Sequence, residues 1–215
     1  MRPDFFNFLL ATLVLGCELA CATTQQAPAR TPPPELAAEY FPLAPGWKWA
    51  YEIDKGGQKI LATYAVLQWT GDSAIVQAGD ERNGYALLAE GIARREGPSP
   101  GDFILKTPIR TGATWPLAGG KATVVSVGGN VTVPAGTYAN CAVVEETRGS
   151  PDRVLRTTYA AGVGPVVLEY QVSNPETRKF DVILAARLLG VTRPGEDPLG
   201  DSTNSQGPAS AAVKQ

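Results

Sequence analysis

Apolar and polar residues alternate through most of the middle of this chain. Trp47, Trp49, Tyr51 and Ile53 are interleaved with Lys48, Ala50, Glu52 and Asp54. A period of two gives an extended strand one aromatic face and one mostly polar face. Gly56-Gly57 turns the chain into a second alternating run over 58–69, and Gly71-Asp72 turns it again into 73–77, the pattern of a meander of hairpins. Further strand candidates are 85–89, 103–106, 121–127, 131–133, 141–148, 153–160, 166–172 and 180–188. In the last, Phe180, Val182, Leu184, Ala186 and Leu188 share one face. Residues 35–40 read as a single helical turn with Pro34 as its first residue, and no helical period runs further. The expected fold is all-β: one large curved antiparallel sheet, or a partly closed barrel, of about 9–11 strands with little helix. Alternation, rather than continuous apolar runs, leaves one side of each strand facing solvent.

The two ends break this pattern. The first seventeen residues, MRPDFFNFLLATLVLGC, place an apolar run behind a short basic start and end it at Gly16-Cys17, the layout of a secretory leader. The run is too short for the roughly 20 apolar residues of a membrane-spanning helix. Its V-L-G-C ending resembles the bacterial lipobox, in which the cysteine is lipidated and becomes the mature N-terminus. Plain secretion is the alternative. Cys21 also follows a small residue, but Glu18 would fill the third position before it, where the pattern takes an apolar side chain, so Cys17 is the better acceptor. From Glu18 to Pro34 the chain is rich in Ala, Thr, Gln and Pro and reads as a spacer. From Arg193 onward large apolar residues almost vanish. The expected organisation is a signal peptide over 1–16, a lipidated N-terminus and Pro-rich tether over 17–38, a β domain over 39–191 and a disordered tail over 192–215.

Charge and composition then exclude several functions. A net charge of -2 across 215 residues argues against nucleic acid, whose phosphates need a basic surface. The chain has no histidine, which removes His-based triads, His metal ligands and imidazole switching together. No metal site or cofactor is expected. Cys141, flanked by Ala142, Val143 and Val144, reads as a small buried hydrophobe; a disulfide to Cys21 is the alternative in an oxidising compartment.

One octapeptide occurs twice. Pro42-Leu43-x-x-Gly46-x-x-Trp49 returns sixty-six positions later as Pro108-Ile109-x-x-Gly112-x-x-Trp115. In each copy Pro sets the entry, Gly supplies a turn and Trp drops into the core as the next segment begins. So short an echo is compatible with chance or with a true pseudo-repeat. With these residues in hand, the chain resembles uncharacterised bacterial envelope lipoproteins that open on Y-F-P-L-x-x-G-x-x-W-x-Y, here Tyr40 to Tyr51. The resemblance extends to V-P-A-G-T-[FY]-x-x-C, matched by Val133 to Tyr138 and Cys141, and to Y-x-A-G-V-G-x-V, matched by Tyr159, Ala161 to Gly164 and Val166. It covers about residues 40–189 and implies a secreted β domain distantly like the curved sheets of lipoprotein carriers, with no activity attached. Both later motifs also have plain structural readings: a strand-ending Pro with a turn at Gly136, and a glycine corner at Gly162 and Gly164.

Catalytic constellations are missing. Glu145 and Glu146 are adjacent on a strand and point to opposite faces, so they cannot form a dyad. One of them facing inward would need a partner, for which Arg148, Arg153 and Arg156 are the candidates. Ser73 and Ser126 lack a nucleophile elbow, and Arg94-Arg95 read as an exposed turn. The chain is therefore expected not to be an enzyme. The leading expectation is a membrane-anchored envelope lipoprotein, on the periplasmic or outer surface, acting as a structural or adaptor module for another envelope protein. The alternative is a carrier of lipid or an acyl chain on a concave aromatic face formed by Trp47, Trp49, Tyr51, Tyr64 and Trp69. A cavity of several hundred Å³ lined by those rings would favour the carrier.

Overall fold

Hairpin-forming glycines between alternating runs give antiparallel neighbours, and the chain follows that rule from end to end. The computed structural model describes residues 32–196; the leader, Cys17, Cys21, the tether as far as residue 31 and the tail from residue 197 lie outside the described residues. Twelve strands form one sheet: β1 (Lys48–Lys55), β2 (Gln58–Trp69), β3 (Ser73–Ala78), β4 (Glu81–Leu88), β5 (Gly91–Glu96), β6 (Ser99–Lys106), β7 (Thr114–Leu117), β8 (Gly120–Val133), β9 (Gly136–Arg148), β10 (Ser150–Ala160), β11 (Gly164–Ser173) and β12 (Phe180–Thr192). Their order is β6-β5-β4-β3-β2-β1-β12-β11-β10-β9-β8-β7. Two six-stranded meanders are thus joined by pairing β1 to β12, and the sheet curls until it is nearly closed into a barrel.

The all-β expectation holds, with three differences in the strands. β5 is not among the expected strands, and within it Arg94-Arg95 read as a turn, yet its residues pair with both β4 and β6. β7 is only Thr-Trp-Pro-Leu; its Pro can sit there because an edge strand has a side that donates to no neighbour. β8 was read as two strands because Gly128-Gly129-Asn130 interrupts the alternation, whereas the ladder to β9 absorbs that stretch through register shifts. Bulges of this kind bend and twist a sheet, which a closing barrel requires.

The repeated octapeptide opens each half. One copy leads into β1 and the other into β7. Gly46 and Gly112 take φ of 92° and 85°, a left-handed conformation natural only to glycine. Both tryptophans are buried and use the indole N–H in the same way: Trp49 Nε1 donates to the Val163 carbonyl at 2.7 Å, Trp115 Nε1 to the Phe103 carbonyl at 2.8 Å. The corner after β10 is close-fitted to this arrangement, since a Cβ on Gly164 would lie 3.1 Å from Trp49 Nε1.

The segment before β1 plugs one end of the barrel. A single turn, α1 (Ala37–Tyr40), is shorter than the expected 35–40 because Leu36 is its extended N-cap. Tyr40, Phe41 and Leu43, from the Y-F-P-L stretch, are buried. Backbone bonds fix the plug at two places: Gly162 N donates to Glu39 O at 2.7 Å and Ile109 N to Glu35 O at 2.8 Å. Glu35 also pairs with Arg110 at 2.7 Å. The opposite end carries the β1–β2 and β11–β12 hairpins.

Candidate functional site

Alternation sends every second side chain into the barrel, and the lumen they surround is not completely filled. A cavity of about 270 Å³ remains between the plug and the hairpin end. Phe41 forms its floor, packing on Trp49 at 5.7 Å, edge-on to Tyr85 at 5.6 Å and against Tyr159 at 6.2 Å between ring centroids. Such tilted and edge contacts suit the aromatic quadrupole. Toward the hairpins the wall becomes aliphatic, with Ile53, Leu155, Leu168 and Leu184.

Polar groups in this wall are few and convergent. Tyr51 donates its hydroxyl to the Pro165 carbonyl at 2.7 Å, and its ring meets Tyr64 edge-on at 5.3 Å. Burial raises the pKa of Tyr51, Tyr64, Tyr85 and Tyr159, so all four are neutral hydroxyls at physiological pH and none is a phenolate nucleophile. Glu146 on β9 faces inward and is 3 % exposed. Its Oε2 accepts from Arg148 Nε at 3.2 Å and Nη2 at 3.0 Å, while Arg94 Nη2 stands 3.9 Å away. Arg148 also donates to Asp102 of β6, whose two oxygens accept the Ala118 N–H at 2.9 and 3.0 Å. Burial opposes the Asp102 charge, but that N–H and the Arg148 guanidinium prevail and hold its carboxyl below the ordinary value. A buried carboxylate demands such partners.

Three of the five aromatic residues singled out from sequence, Trp49, Tyr51 and Tyr64, line the cavity. Trp47 does not: it lies at the plugged end, stacked on Trp49 at 5.7 Å and 13°, with the Arg193 guanidinium 6.0 Å above it. Trp69 does not either. Its register partner Ala74 is buried, but Trp69 ends β2 beside the Gly71 turn and stays 48 % exposed. Glu145 and Glu146 do part to opposite faces, Glu145 pairing outside with Arg156 at 3.5 Å.

Arg94 and Arg95 are exposed, as expected, but they lie in a strand rather than a turn, and Arg94 also lines the cavity. Its Cα partner is Tyr85, so it stands on the inner face beside that ring. Tyr85, Tyr159 and the orientation of Glu146 needed the register, which single strands do not reveal. Cys141 is buried, as expected, and burial raises its thiol pKa; its alternative disulfide partner, Cys21, lies outside the described residues. Among the described residues no group of three or more His, Cys, Asp or Glu side chains could hold a metal.

No family model matches the chain, and no curated protein matches it. Among solved structures it is similar to a candidate exported protein with a YmcC-like fold from Bacteroides fragilis, at 12 % identity and a TM-score of 0.46, covering 72 % of this chain and 99 % of that one. It is also similar to a candidate lipoprotein from Parabacteroides distasonis, at 9 % identity and a TM-score of 0.36, covering 74 % and 100 %. Likeness at this level carries no function over to this chain.

Proposed function

We propose that this chain is a lipid-anchored lipoprotein of the bacterial cell envelope whose barrel is a non-catalytic binding module, holding a small apolar ligand in its lumen. The cavity is the observation that carries this reading. Protein interiors are packed to crystal density, with few voids larger than a water molecule. A space of about 270 Å³ equals roughly nine waters at about 30 Å³ each. It falls just below the range of about 300–1,000 Å³ for small-molecule sites and shares their make-up, apolar and aromatic walls with a few placed polar groups. The leader ending at Cys17 supports the anchor, and the absence of histidine supports the non-catalytic role.

A second reading, the adaptor, is favoured by a different observation. Near the hairpin end Leu61 is 77 % exposed, and Phe180, Val182 and Ile183 are about half exposed. Apolar surface of this kind marks contact sites.

Titration of the full chain with a neutral naphthylamine dye separates the two. The lumen reading expects saturable fluorescence enhancement in the wild type and its loss in Ala186→Trp, which fills the cavity from β12. Enhancement that is equal in both proteins, or lost only on Leu61→Ser, would move binding to the outer rim and overturn it.

A further inference from the structure

Charges at and behind the lumen wall do not pair evenly: Arg94 and Glu146 line the cavity, and Arg148 and Asp102 stand behind them. Asp102 has both oxygens occupied by the Ala118 N–H and also takes Arg148. Glu146 is held through Oε2 by two nitrogens of the same Arg148. Two carboxylates thus share one guanidinium, and Arg94 is left with the weaker share. Among the described residues its nearest acidic atom is that same Glu146 Oε2, at 3.9 Å, beyond hydrogen-bond range. Arg94 is also the least enclosed of the group, with 46 % of its side chain exposed against 35 % for Arg148 and 3 % for Glu146. It lines the cavity and lies beside Tyr85, its cross-strand partner.

From this arrangement we infer that the lumen ligand is an amphiphile with a carboxylate head, held by Arg94 with the Tyr85 hydroxyl beside it, and an aliphatic tail running toward Ile53 and Leu184. The inference rests on the lumen-binding reading above. A guanidinium presents paired donors in a planar fork that fits a carboxylate. Turning Arg94 onto a ligand leaves Glu146 still bonded to Arg148, so no buried charge is orphaned. A ligand ammonium would find only the Oε1 side of Glu146, where Arg94, 3.9 Å from that carboxylate, and Arg148 on Oε2 both repel it. The lumen tyrosines are neutral and do not repel an anion; Tyr51 already gives its hydroxyl proton to the Pro165 carbonyl, which leaves Tyr85 as the donor beside Arg94. The gradient from aromatic floor to aliphatic wall orients the molecule, with its head near Tyr85 and its tail toward the hairpin end. The cavity volume suits a chain of about ten non-hydrogen atoms, comparable to the roughly nine waters it would displace.

Calorimetric titration of the full chain with octanoate, octanol and octylammonium near pH 7 tests this. The expected result is octanoate binding at least tenfold tighter than the other two. In Arg94→Gln that preference falls to less than twofold while octanol affinity is unchanged; in Arg94→Lys a partial preference returns, which separates loss of charge from loss of folding. Equal octanoate and octanol affinities in the wild type, or a preference that survives Arg94→Gln, overturn the carboxylate head but leave the lumen site standing. Tightest binding of octylammonium overturns it with the sign reversed. Failure of all three to bind overturns the lumen reading itself.

Discussion

The barrel has two places where its halves meet, and they are built differently. At β1–β12 eight residues of β1 pair with β12 in a backbone ladder from Lys48↔Thr192 to Lys55↔Leu184, with one bulge. At β6–β7 the sheet has its two free edges, and side chains span them: the Trp115 indole on the Phe103 carbonyl, Asp102 on the Ala118 N–H, and Arg148 bridging Asp102 to Glu146. The same octapeptide opens the strand at each junction, so similar local sequence has been closed in two ways. A ladder is continuous and insensitive to any one side chain. A side-chain seam concentrates its strength in a few polar contacts, and here one of them holds Glu146, which lines the cavity.

Breaking the seam at its hub should have the largest effect. Arg148→Ala leaves Glu146, 3 % exposed, without its hydrogen bonds, and loss of one partner of a buried pair costs about 3–5 kcal/mol. Denaturant unfolding should show that loss, and the double variant with Glu146→Gln should recover part of it. The tryptophans give a matched pair. Trp115→Phe and Trp49→Phe each remove one indole donor, at a cost of about 1–2 kcal/mol. In hydrogen exchange, faster opening of β6 and β7 should follow only the first, because β1 keeps its ladder when Trp49 is changed.

Acid should sharpen the contrast further. The Asp102 carboxyl is held below its ordinary value of 3.8, so its contribution is complete above that pH and is lost as pH falls through the lowered folded-state value. Seam amides should therefore lose protection before β1–β12 amides below about pH 4, and Asp102→Asn should abolish the difference. The smallest effect is expected at the ladder side's exposed pair. Lys59 bonds Glu52 at 2.8 Å across β1–β2, and Lys59→Ala should leave the unfolding midpoint within error, as exposed ion pairs generally do.

Much of this was legible along the chain. Period-two alternation and paired turn residues located the strands of both meanders, and the repeated octapeptide marked the start of each half. Tyr51 and Tyr64 could be assigned to an inner face because β1 and β2 are joined by a two-residue turn that fixes their register. Closure was not legible, since it depends on residues far apart in sequence: Trp115 with Phe103, and Arg148 with Asp102. Arg94 reads as a turn for the same reason: its strand is short, and its place at the cavity wall depends on its partner Tyr85 and on Glu146. Whether aromatic rings pack solid or enclose a space is likewise decided only by the sheet's curvature.

The central claim is that the unfilled lumen is a ligand site. Its most direct test is native mass spectrometry of the full chain purified from its own host, released gently from the membrane. The account predicts a protein carrying one small amphiphile at about one per chain, displaced by octanoate and missing from Ala186→Trp. A wild-type protein that is empty as isolated and takes up no octanoate when it is added would contradict it.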